Sequence, residues 1–164
     1  MGYDTAISGV FEIEPKLPDD FIEKFNRVGN MRNGSPGSFA EEYPDDPPPE
    51  GIEGWCDWRL TQQQAASWAP YECTRLEIGD GGEYGTLYGF EDWLVYAVRR
   101  IVRENPGVRF KGMVTWDGDD SEDFGKIEIV NEGEIIVSHG EITYTEYTRY
   151  PAPVAEDGRA CVSA

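Results

Sequence analysis

The chain has 164 residues, enough for one respectable core and too few for two ordinary domains, with a net charge of −18 from 32 Asp and Glu against 14 Lys and Arg. Hydrophobic content of 39% with 13% aromatics is too rich for a disordered acidic chain, so the acidity sits on a folded body. That charge repels nucleic-acid phosphates and anionic headgroups, no stretch approaches the roughly 18 apolar residues of a membrane span, and residues 1–25 lack a basic start followed by an apolar run, which together predict a cytosolic protein with no direct nucleic-acid or membrane binding.

From Tyr3 to Glu14, Tyr3, Thr5, Ile7, Phe11 and Ile13 alternate with polar residues, the period of a half-buried strand, which Pro15 and Pro18 end. Asp19 to Val28 places Phe21, Ile22 and Phe25 at helical spacing behind Pro18 and predicts a short helix. Residues 29–54 are rich in Gly, Pro, Asn, Asp and Glu without an apolar period and predict a long, partly mobile loop. Trp55 to Leu60 reads as a short strand, and Gln62 to Trp68 is ambiguous. The clearest element is Phe90 to Glu104. Its Phe90, Trp93, Leu94, Ala97, Val98, Ile101 and Val102 recur at i, i+3, i+4 spacing, with Glu91 and Asp92 at the start and Arg99, Arg100 and Arg103 toward the end, where each complements the helix dipole. Asn105-Pro106-Gly107 stops it, and Val108 to Trp116 follows as a strand with Val108, Phe110, Val114 and Trp116 on one face. Gly125 to Val130 and Glu134 to Ser138 flank Asn131-Glu132-Gly133 as a hairpin. Ile142 to Tyr147 adds a further candidate strand, and residues 151–164 read as a frayed tail. Residues 1–150 therefore predict a single α+β domain: an antiparallel sheet of about four to six strands, with the 90–104 helix across one face and the short 19–28 helix beside it.

Few residues suggest chemistry. Cys56, Cys73 and Cys161 are odd in number, lack close spacing and have only His139 to join them, so no zinc set forms and structural or reduced thiols are the better account. In the turn after Trp116, Asp117, Asp119, Ser121, Asp123 and Glu128 fall at positions 1, 3, 5, 7 and 12 of a calcium loop. Glu122 stands where that loop needs Gly, and the flanks read as strands where it needs helices, so a solvated hairpin turn is preferred. Gly79-Asp80-Gly81-Gly82-Glu83-Tyr84-Gly85 matches neither the dinucleotide nor the P-loop pattern. Neither a metal nor a cofactor is expected, no catalytic residue can be named, and the pattern leans away from an enzyme.

Two surface readings remain. Trp55, Trp58, Trp68 and Tyr71 fit a core best but could also form a binding rim. Five of the bases, Arg99, Arg100, Arg103, Arg109 and Lys111, fall between positions 99 and 111, where Glu104 is the only acid, leaving the remainder more negative still. A solvated surface tuned for solubility accounts for this, as does an anionic face that competes for a basic, nucleic-acid-binding surface on another protein.

The chain resembles a family of short, uncharacterised proteins encoded by bacteriophages and prophages. The resemblance lies in Met1-Gly2-Tyr3-x-Thr5 with Gly9, in Phe25-Asn26 with Met31-Arg32, and in Trp55-Cys56-x-Trp58. It continues in Gly82-Glu83 ahead of Trp93-Leu94-x-Tyr96, in Gly112-x-Val114-x-Trp116-x-Gly118-x-Asp120, and in Asp123-x-Gly125-x-Ile127. The chain departs from it in the Pro-rich 33–54 region and at its C-terminal end. The resemblance implies a phage accessory protein made in the host cytoplasm, and it carries no established activity. The resulting expectation is a non-enzymatic protein that binds a host protein with a basic surface, through Asp119, Asp120, Glu122, Asp123, Trp55 and Trp58, and inhibits a defence or nucleic-acid-handling factor. The alternative is a small-ligand or signalling-nucleotide-binding protein or enzyme that uses Tyr84, Arg99 and Arg103 beside Trp55 and Trp58.

Overall fold

Alternation across β1 (Thr5–Glu14) turns Thr5, Ile7, Phe11 and Ile13 inward and leaves Ser8 and Glu14 in solvent. Gly9 breaks the apolar set for a steric reason: its φ is +102°, and a Cβ there would stand 2.4 Å from the Met113 carbonyl oxygen on the next strand. The computed structural model describes residues 5–64, 66–79, 89–143, 146 and 148–150. After β1 come α1 (Asp19–Gly29), α2 (Phe39–Glu42), β2 (Trp58–Gln64), β3 (Tyr71–Ile78), α3 (Phe90–Glu104), β4 (Arg109–Gly118), β5 (Phe124–Val130) and β6 (Glu134–His139). The six strands form one antiparallel sheet in the order β2-β3-β1-β4-β5-β6. The protein is an α+β fold.

The helices share one face of the sheet. α1 buries Phe21, Ile22, Phe25 and Val28, and α3 buries Trp93, Leu94, Tyr96, Ala97, Val98 and Ile101, against the inward side chains of the strands. Each fully buried large apolar side chain contributes about 1.5–3 kcal/mol, so these stripes fix where both helices lie. The opposite sheet face is open, with Ser8, Lys111, Met113 and Thr115 exposed and charges of both signs paired across it, as in Arg75–Glu12 and Lys126–Glu128. Trp116 closes on Gly125, its partner across β4 and β5, where a Cβ would stand 2.2 Å from the indole.

Several expectations from the sequence are revised. β2 starts at Trp58, the residue opposite Ile78 of β3, and the Gly79 N–H donates to the Asp57 carbonyl at 2.8 Å just before it. β3 was not anticipated; its inward row includes buried Thr74, whose Oγ1 accepts the Leu17 N–H at 2.9 Å. The 29–54 segment is fastened at several points: Phe39 of α2 is 1% exposed against Phe25, Trp93 and Tyr96, and Asn33 bonds Gly54 and Ile52. Ile142 and Thr143 belong to no strand, since the chain leaves the sheet at Gly140, whose N–H donates to the Phe124 carbonyl at 2.7 Å. Tyr144, Thr145, Tyr147 and the expected tail at 151–164 lie outside the described residues.

Candidate binding surface at the α3 N-terminal end

Trp58 and Trp55, three residues apart, go opposite ways. As the first residue of β2, Trp58 points into the core at 0% exposure, donates Nε1–H to the Phe90 carbonyl at 2.8 Å and has no surface to offer a partner. Trp55 precedes the strand and is 51% exposed. It borders a cavity of about 570 Å³ lined also by Arg32, Ile52, Glu53 and Asp92. The cavity wall is braced from beneath, where the buried Trp93 indole donates to the Glu53 carbonyl at 3.4 Å. Trp68 is 87% exposed elsewhere, while the side chain of Tyr71 and all of Tyr84 lie outside the described residues.

The acidic turn joins this end of the molecule through the first turn of α3. Gly89 and Asp92 border the Trp55 cavity, the Phe90 ring packs against Trp116 at 6.0 Å, and Trp116 Nε1–H donates to Asp123 Oδ1 at 3.0 Å. Asp123 is thereby committed to shaping the turn, which closes with the Gly118 N–H on the Asp123 carbonyl and the Asp123 N–H on the Asp120 carbonyl. Asp117, Asp119, Asp120 and Glu122 stand exposed. The flanks are strands β4 and β5, and among the described residues no group of three or more His, Cys, Asp or Glu side chains converges to hold a metal ion.

Arg99 and Arg103 lie elsewhere. Together with Arg100 they converge on Asp46, at 3.1, 3.1 and 2.6 Å for Arg99, Arg100 and Arg103 in turn. Asp46 is held in place by the Tyr96 hydroxyl, which donates to its backbone carbonyl at 3.0 Å. Arg99 also lies over the Tyr96 ring and Arg100 over the Tyr43 ring. At 1.5 Å per residue, Arg99 and Arg103 lie about 10–17 Å along α3 from Asp92, so they do not share a pocket with Trp55. The basic cluster anchors the 43–54 loop to the helix. Asp46, 53 to 57 residues from its partners, had no signal in the sequence, and Glu53 and Arg32 had only their nearness to Trp55 and Met31.

The protein matches no known family, curated protein or solved structure. Burial pushes the Cys56 thiol up to about 12, which keeps it protonated and unreactive, and it pushes the Tyr43 and Tyr96 hydroxyls up as well. His139 packs edge-on against the Trp116 ring at 5.4 Å, at the end of β6. No described helix is long and apolar enough to cross a membrane. What this end can do is offer one exposed indole beside Glu53, Asp92 and Arg32, with the acidic turn joined to it through Phe90 and Trp116, an arrangement that attracts cationic side chains.

Proposed function

We propose that the protein works by binding a basic protein surface with its α3 N-terminal end, Trp55 serving as the anchor and the acids as the steering field. The observation that carries this is the gathering of exposed Trp55, Glu53, Asp92, Asp117, Asp119, Asp120 and Glu122 at one end of a chain of net charge −18. Large aromatics supply most of the energy of protein interfaces, and clustered charge supplies the association rate. On the resemblance to phage-encoded proteins, the partner we propose is a host protein in the host cytoplasm, with a basic surface that handles nucleic acid or defends the cell. The carboxylates would occupy that surface in place of phosphates.

Trp55→Ala should then weaken the complex chiefly through faster dissociation, and the triple variant Asp119→Asn, Asp120→Asn, Glu122→Gln should slow association. Kinetic binding at two salt concentrations reads both effects, since the attraction is screened over roughly 8–10 Å at ordinary ionic strength. Binding that ignores salt and survives both variants would reject the proposal.

A second reading rests on Arg32, which places a cation beside Trp55 in the cavity and suits a planar, anionic small molecule such as a signalling nucleotide. Calorimetric titration with a nucleotide panel separates the two: a nucleotide that binds and is lost in Arg32→Gln favours the small ligand.

A further inference from the structure

The two edges of the sheet are treated differently. At β2 the side chain of Asn26 on α1 pairs reciprocally with the Leu60 backbone, Nδ2 donating to the carbonyl at 2.8 Å and Oδ1 accepting the N–H at 2.9 Å. That pairing gives the edge the bonds a neighbouring strand would make. Gln62 is further tied to Asp19 at 2.6 Å. At the other edge, β6 pairs only with β5 among the described residues. Beside it runs a groove of about 470 Å³ between β6 and α3, floored by Val95, Val98, Val102 and Ile135, with Arg99 and Arg103 on its helix side. Val95 is 48% exposed. Gly133 in the β5–β6 turn lets the hairpin close on the helix, since a Cβ there would stand 3.1 Å from Val98.

We propose that β6 and α3 form a docking groove for an extended peptide segment of a partner protein. The segment adds to β6 as a seventh strand, sets alternate apolar side chains on the valines of α3 and presents a carboxylate to Arg99 and Arg103. Main-chain bonds to an open edge supply affinity in this mode, and the pockets beside the edge supply selectivity. Charge decides the occupant. Arg99 and Arg103 put positive charge on an apolar groove in a protein of net charge −18, and each gives Asp46 one Nη, while a guanidinium carries five N–H donors. Donors therefore remain for an incoming carboxylate. Glu132, at the hairpin rim, disfavours a second acid on that side. The groove borders the Asp46 cluster through Arg99 and Arg103, and its lining includes no residue of the acidic turn.

The test uses the full ¹⁵N-labelled chain and an acetylated, amidated peptide of about seven residues, the length of a typical strand, alternating Val and Thr with one central Glu. The β6 amides that do not donate to β5 should gain exchange protection when the peptide is added. Arg103→Gln, which leaves Asp46 paired with Arg99 and Arg100, should weaken binding severalfold, and exchanging the peptide's Glu for Gln should do the same with the native chain. Val95→Glu should abolish binding while the rest of the spectrum stays folded. The proposal fails if millimolar peptide protects no β6 amide, or if protection is indifferent to both exchanges for Gln. It fails too if those amides are already protected in the free protein, whether by residues 141–164 of its own chain in a monomer or by a second copy in a dimer seen by sedimentation.

Discussion

Replacing Asp46 by Asn removes one negative charge and leaves the side chain nearly the same size. In the native protein that charge answers three guanidiniums, of which Arg100 has a side chain only 9% exposed, against 34% for Arg99 and 56% for Arg103. Removing one partner of a buried ion pair costs about 3–5 kcal/mol, because the other charge stays desolvated and unpaired. An exposed pair is worth at most about 1 kcal/mol. Arg100 therefore dominates. With Asp46 itself 19% exposed, the expected loss is about 3 kcal/mol, with less than 1 kcal/mol from each of the other two. In urea, with a slope of about 2 kcal/mol/M, the midpoint should fall by about 1.5 M. Arg103→Gln alone should shift it little. Adding Arg100→Met to Asp46→Asn should recover part of the loss, because the double variant removes the unpaired buried charge. A loss below about 1 kcal/mol in Asp46→Asn, or a double variant less stable than the single one, would refute the view that this cluster holds the loop to the helix.

Other expectations follow from burial. Trp93→Ala, at a side chain 1% exposed and packed against Phe39 and Tyr96, should cost about 3–5 kcal/mol by chemical denaturation, and a cost under about 1 kcal/mol would mean that the α3 face is misassigned. In a Cys161→Ser background, Cys56 and Cys73 should resist a thiol reagent at pH 8 until the protein unfolds, and rapid labelling of either would contradict their burial. Millimolar calcium should leave the melting temperature unchanged, since Asp123 is engaged by Trp116 and the turn lies between strands; a rise of several degrees, lost in Asp119→Asn, would establish a site.

What could be read from the chain follows how local each signal is. α3 spans Phe90–Glu104 as its i, i+3, i+4 stripe required, and β1 and the β5–β6 hairpin follow from period-2 alternation and the Gly133 turn. β3 was missed because its inward row runs Thr74, Leu76, Ile78, and a threonine chosen to accept the Leu17 N–H interrupts the apolar rhythm. α2 is one turn long and carries one core anchor, Phe39, too short to show any period. Trp55 and Trp58 could not be told apart, since the strand boundary between them decides which one is buried and it is set by pairing with β3, which the sequence did not reveal. The charges were legible only in part for a similar reason: the sequence clusters Arg99 and Arg103, but Asp46, which takes one Nη of each, comes to them from 53 and 57 residues away.

The most direct measurement of the proposed function is site-specific photo-crosslinking in host cells. A photoreactive residue at position 32, on the rim of the Trp55 cavity, keeps Trp55 and every carboxylate in place, and a second at Ser8, on the open sheet face, serves as control. The account predicts one dominant host protein with a basic surface crosslinked from position 32 and not from position 8, its yield falling sharply in lysate as salt rises from about 0.1 to about 0.5 M and with Trp55→Ala. A partner crosslinked from Ser8 alone, or a position-32 adduct indifferent to salt and to Trp55, would contradict it.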